Sequence, residues 1–301
     1  MSADAVGGVD AVGLRRSVTG LLSFAASEEE GLLAAVRFCG AGSPVAGGAD
    51  GPGGVDGPGN WGAVAVVAHD NHFKDQQTER LRAVLAGREP PAFGEIDHSS
   101  AYGSYRAQVL DEVLPGCRRV TAELADGTWA VSDSDLLDPD RHPWLRGRTL
   151  WLQIVVRGFW HPTGHVGDYY LGHGEPSRAV EMHAHAVATA RYLGAPAPAV
   201  GMAIYSLACA QARVGGVEEA ASSLGAAIEA NADLRVNARR DPDLAVLRSA
   251  GFVDGLLSPA DALAGQRSGA LAGFRDVSSY GQPQETRGFT WERARRRRPS
   301  Q

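Results

Sequence analysis

The chain has 301 residues, 29 basic against 35 acidic for a net charge of −6, and an apolar fraction of 44%. That balance excludes wholesale disorder and the basic surface of a protein devoted to nucleic acid, so no nucleic-acid partner is expected. No run approaches the roughly 18 apolar residues of a membrane span, and residues 1–16 lack the charge, apolar run and cleavage site of a signal peptide, so the expected location is the cytoplasm, with no membrane partner.

Cys39, Cys117 and Cys209 are odd in number, far apart and without CxxC spacing, which argues for reduced thiols rather than a disulfide framework or a cysteine zinc site. Lys74 is the only lysine among the 29 basic residues, and with 38 glycines this bias points to GC-rich codons of the kind a high-GC actinomycete uses.

Residues 11–39 read as an amphipathic helix through Leu14, Val18, Leu21, Leu22 and Phe24, with Ser27 placed to cap a second segment carrying Leu32, Leu33 and Val36. Residues 41–60 hold too much glycine and proline for a regular element and read as a flexible loop. Trp61 opens a second helix that runs to Gly87, a natural C-cap. Pro90 and Pro91 end helical structure, and the loop after them carries Glu95, Asp97 and His98, which could close over a site.

A third helix is expected over residues 105–124, interrupted near Pro115 and Gly116, followed by a short capped turn at SDSDLLDP. The fourth, over residues 145–172, is apolar enough to be central, with kinks at Gly158 and Pro162. Four such helices specify a four-helix bundle, so the fold class is all-α and sites form between facing helices.

After residue 174 a helix rich in alanine and histidine spans 175–193; its His183 and His185, like His173 before it, read as surface residues. Residues 196–257 alternate small and large side chains (Tyr205, Leu207, Ala208, Ala212, Gly215, Ala220, Leu224, Ala227) in the manner of a tetratricopeptide hairpin. One such unit cannot bury both faces, so it packs on the bundle, on another copy of the chain or on a protein partner. The division is therefore 1–174 (bundle), 175–257 (helical segment) and 258–301 (disordered basic tail).

His161 and His165 are four residues apart, which on a helix sets both imidazoles on one face. His69, eight residues after Trp61, supplies a third imidazole from another helix, and three imidazoles leave a coordination position open, as in catalytic sites. Two points stay open: Pro162 between the pair would break the shared face if a helix begins there, and His72 offers an alternative third ligand.

The pattern WGAVAVVAHDNH followed by WHPTGHVGDYY resembles the DinB-like superfamily over residues 10–175. Thiol S-transferases using mycothiol or bacillithiol, mycothiol-dependent maleylpyruvate isomerases and self-resistance hydrolases belong to it. The resemblance implies a divalent ion on His69, His161 and His165. Zinc is the first expectation, with nickel, iron and manganese as alternatives.

Arg157, Asp168 and Tyr169 lie near the histidine pair in sequence and are the candidate catalytic side chains. The leading functional reading is a metal-dependent thiol transferase that activates a low-molecular-weight thiol, with mycothiol as co-substrate, against an electrophilic small molecule in secondary metabolism or detoxification. A metal-dependent hydrolase of a reactive metabolite and a non-catalytic scaffold are the alternatives. HExxH, P-loop and dinucleotide motifs are missing from the sequence.

Overall fold

The computed structural model describes residues 10–39, 60–92 and 103–252, and over these it is helical with no strand. The principal helices are α1 (Ala11–Cys39), α2 (Ala63–Leu85), α3 (Leu110–Ala130), α4 (Asp133–Leu137), α5 (Leu150–Val155), α6 (His161–Gly172), α7 (Pro176–Tyr192), α8 (Ala197–Arg213), α9 (Val217–Ala230), α10 (Leu234–Ala238) and α11 (Ala245–Ser249). No helix among the described residues is long and apolar enough to cross a membrane.

The Asp10 carboxylate starts α1 by accepting from the backbone N–H groups of Val12 and Gly13, each at 3.1 Å. Leu14, Val18, Leu21, Leu22, Leu32 and Leu33 then make one buried stripe, each contributing about 1.5–3 kcal/mol of burial. The expected break at Ser27 does not occur: its hydroxyl donates to Ser23 O one turn back, and α1 is continuous. Arg15 ties α1 to the end of α3 by donating to Thr128 O and Val131 O, with Asp133 as its ion-pair partner.

Trp61 does not open α2. It lies in the turn before Ala63, fully buried. Gly87 closes the helix as expected, at φ 64°, with Arg88 N–H donating to Ala83 O.

The third helix is shifted and unbroken, from Leu110 to Ala130 rather than 105–124. Pro115 falls early in it, where its missing N–H forfeits a single bond. Burial of Val113, Cys117, Val120 and Leu124 outweighs that loss. The short turn at SDSDLLDP forms α4, capped by Ser132, whose hydroxyl accepts from Asp135 N–H.

The fourth element starts at Leu150; Leu145 belongs to the separate turn Pro143–Leu145. Between α5 and α6 the chain makes a π-helical turn, Val156–Trp160, in which His161 N–H donates to Val156 O. This wider turn leads into Pro162 at the start of α6, and the Thr163 hydroxyl donates to Phe159 O and Trp160 O. The helical path therefore passes through Pro162 instead of beginning anew there.

Helices α1, α2, α3 and the α5–α6 element pack on one another. One apolar cluster gathers Leu32, Leu33, Trp61, Val66, Val113 and Val166 at one end of them. A larger cluster joins Leu14 to Ala25, Leu124 and Ile154 with Ala186, Met202, Tyr205 and Leu224, so the C-terminal helices share a core with the N-terminal ones. Trp160 Nε1 donates to Ser206 Oγ at 2.7 Å across that junction. Residues 41–59 of the glycine- and proline-rich loop, the 258–301 tail and Glu95, Asp97 and His98 lie outside the described residues.

Candidate metal centre

His69 projects from the second turn of α2 and His161 and His165 from the first turns of α6, and the three imidazoles converge. Their ring centroids are 5.3 Å (His69–His161), 4.9 Å (His69–His165) and 4.1 Å (His161–His165) apart. Asp70 joins them: one donor atom from each of His69, Asp70, His161 and His165 lies within 4.8 Å of all the others. All four side chains are at most 1% exposed.

Asp70 holds the cluster together. Its Oδ1 is 2.7 Å from His165 Nδ1 and 3.8 Å from His161 Nε2. Engaging Nδ1 of His165 would leave Nε2 of that ring to hold an ion, the usual way a carboxylate sets the tautomer of a ligating histidine. The other oxygen, Asp70 Oδ2, is buried with no hydrogen-bond partner among the described residues. A buried carboxylate oxygen left so is costly unless a cation or proton meets it. Three imidazoles plus one Asp70 oxygen form a nitrogen- and oxygen-rich donor set that fits a borderline divalent ion such as zinc.

The surroundings are aromatic. Trp61 meets the His69 ring edge-on at 5.3 Å, Phe73 packs 4.8 Å from His69 and 4.6 Å from His161, and Tyr105 lies 5.2 Å from His69. Burial, with the nearby Asp70 charge adding to it, pushes the Tyr105 phenol up to about 12, so it remains a proton donor at neutral pH.

One turn along α2 from Asp70, Lys74 pairs with Glu29 of α1, both completely buried, and Cys117 Sγ donates to Glu29 Oε2 at 3.5 Å. Burial raises Glu29 to about 7 against the pull of Lys74, and it raises the Cys117 thiol well above its ordinary value, which makes that thiol an inert core group.

The histidine triad named from the sequence is therefore brought together, and the remaining candidates separate. His72 is exposed, with Nε2 3.0 Å from Gln76 Nε2, and is not one of the four clustered groups. Arg157 stands over the Phe73 ring at 4.7 Å, one side chain removed from His161.

Asp168 forms an ion pair with Arg213 and lines a different cleft. Tyr169 is buried one turn past His165, stacked on His173 at 3.9 Å. His185 is exposed and His173 half-buried, but His183 is not a surface residue: it is 4% exposed, its ring seated where a Cβ on Gly167 would be.

The sequence reading missed Asp70, Tyr105 and the Glu29–Lys74 pair. An acid directly after His69 in an otherwise apolar stretch was the available signal for Asp70. Comparison of the chain with family models, curated proteins and solved structures finds no match.

Proposed function

We propose that the chain is a metal-dependent enzyme of the DinB-like kind, a four-helix bundle followed by a tetratricopeptide-type hairpin. It would use a low-molecular-weight thiol of the mycothiol type against an electrophilic small molecule. The observation that carries this reading is the convergence of three buried imidazoles with one buried carboxylate.

His69, His161 and His165 are the residues that would hold the ion. A divalent cation there supplies deprotonation of a coordinated thiol, which makes it a nucleophile at neutral pH. Asp70 fixes the His165 ring through Oδ1 and offers, at Oδ2, a proton acceptor inside the cluster. Tyr105 offers a hydroxyl donor toward developing negative charge. Phe73 supports Arg157, one side chain removed from His161, where a guanidinium can hold a carboxylate or phosphate of the substrate.

The test is metal analysis of the purified chain followed by turnover of monobromobimane with mycothiol. One divalent ion per chain and a thiol-dependent rate, both lost in His165→Ala, are expected. A metal-free protein, or equal rates for wild type and variant, would overturn the reading.

The near-complete burial of all four donors favours one further reading, in which the nucleophile is as small as water and a reactive metabolite is hydrolysed. Turnover of an electrophile without any thiol selects that reading.

A further inference from the structure

The stripe of α6 next to its histidines, Gly164, Asp168 and Leu171, forms one wall of a cleft open to solvent. The other wall comes from α8 and from the turn Pro242–Leu244, and none of the four clustered donors lines it. This cleft is rich in acceptors and short of cations.

Asp168 is paired with Arg213. Asp241 is fully used: Oδ2 accepts from the Tyr205 hydroxyl at 2.8 Å and from Cys209 Sγ at 3.8 Å, and Oδ1 accepts from Asp243 N–H at 3.0 Å. That leaves the Asp243 carboxylate, whose nearest cation is Arg213 Nε at 3.7 Å, a guanidinium already engaged by Asp168. No donor among the described residues hydrogen-bonds to it.

Burial, reinforced by Asp241 and Asp168 against Arg213, raises the Asp243 carboxyl to about 7. His183 of α7 also lines the cleft. It is 4% exposed, burial lowers its pKa to about 4 so that the ring is neutral, and its buried Nδ1 has no partner among the described residues. Three carboxylates and a neutral imidazole thus face one guanidinium, while Trp160, Leu171 and Ala210 supply apolar and aromatic surface.

We propose that this cleft binds a small organic cation, a protonated primary amine on an apolar body, with the ammonium at Asp243 and the body against Trp160 and Leu171. An ammonium brings three donors to a carboxylate that no described residue hydrogen-bonds, and aromatic faces favour the adjoining charge. A divalent ion on Cys209, Asp241 and Asp243, whose donor atoms lie within 4.8 Å of one another, is the weaker occupant. It would have to compete with the hydrogen bonds that Asp241 accepts and strip a proton from a thiol that burial holds protonated.

Calorimetric titration with tyramine, its neutral analogue 4-ethylphenol and its anionic analogue 4-hydroxyphenylacetate, with putrescine as an aliphatic amine and Zn2+ as the competing occupant, decides the matter. An amine should bind at least about tenfold more tightly than the neutral and anionic analogues. Asp243→Asn, which keeps the shape and the backbone bond to Asp241, should weaken amine binding by about tenfold or more. Gly164→Leu should abolish it by filling the cleft, since Gly164 lines the cleft and a Cβ there meets no atom within 4 Å. The proposal is overturned if neither amine binds at millimolar concentration, if charge makes no difference, if both variants bind like wild type, or if Zn2+ occupies the cleft and excludes the amines.

Discussion

His165 Nδ1 stands 2.7 Å from Asp70 Oδ1, joining the two imidazole-bearing helices across 95 residues of sequence. Asp70 follows His69 directly, so α2 contributes one candidate ligand and the carboxylate that orients a ligand on α6. The cluster is cross-braced: neither helix can rotate without separating Asp70 from His165.

Asp70→Asn tests that bracing. The amide keeps the size but loses the charge, so the set of donors would present three neutral imidazoles to a dication. Metal affinity should fall by about 10- to 100-fold, the usual cost of removing the partner of a ligating histidine. Competition against a chelator of known affinity measures it. Unchanged affinity would show that Asp70 serves packing alone.

Acidification should act through His183. Burial lowers its pKa from 6.5 to about 4, with Arg213 assisting and Asp168 opposing. Between those values the unfolded chain takes up a proton that the folded chain refuses. The contribution of His183 is therefore complete above about pH 6.5 and lost as pH falls toward 4, up to about 3 kcal/mol. Asp243 and Glu29, both raised to about 7, have the opposite sign, gaining stability as pH falls through the same range. Urea unfolding of wild type and His183→Gln at pH 7.5 and 4.5 isolates the histidine. Wild type should lose more stability than the variant, and parallel losses would refute the assignment.

What could be read from the sequence follows from how the signals are carried. The stripe Leu14–Val18–Leu21–Leu22 and the four-residue spacing of His161 and His165 are local periodicities, and both stand in the structure as helical faces. Pro162 was the ambiguous point because a proline rule cannot anticipate a π-helical turn, which depends on how α5 and α6 are held by their neighbours.

Pro115 misled for the same reason, since tertiary burial of Val113 and Cys117 overrides a local penalty. The buried face of α2 was harder still. Asp70, Lys74 and Gln77 are polar yet inside, and only partners distant in sequence make that burial tolerable for the first two. His183 was assigned to the surface because nothing local records that Gly167 leaves room for its ring.

Gly158→Ala sets two effects against each other in the π-helical turn. Alanine is the better helix former by about 0.8–1 kcal/mol. Its Cβ, however, would overlap Leu22 Cδ2 and come within 2.8 Å of Leu124 Cδ2, two fully buried side chains of the core that would have to shift. Overpacking costs about 1–3 kcal/mol, so a net loss of stability is expected in chemical denaturation. A gain would mean that the turn relaxes into an ordinary α-helix.

Lys74 and Glu29 give the sharpest contrast between losing a partner and losing a pair. Both are 0% exposed, and they face each other between α1 and α2 beneath the imidazole cluster. Lys74→Met removes the cation and leaves a carboxyl group that must either remain charged without a partner or take up a proton. The expected loss is about 3–5 kcal/mol. Adding Glu29→Leu removes the stranded acid and replaces the pair with apolar groups of similar volume, an exchange that is often neutral or stabilising. Denaturant midpoints should therefore fall in Lys74→Met and largely recover in the double variant. Additive losses in the two single variants and the double would show instead that each side chain acts alone, and that the pair does not govern the packing of α1 on α2.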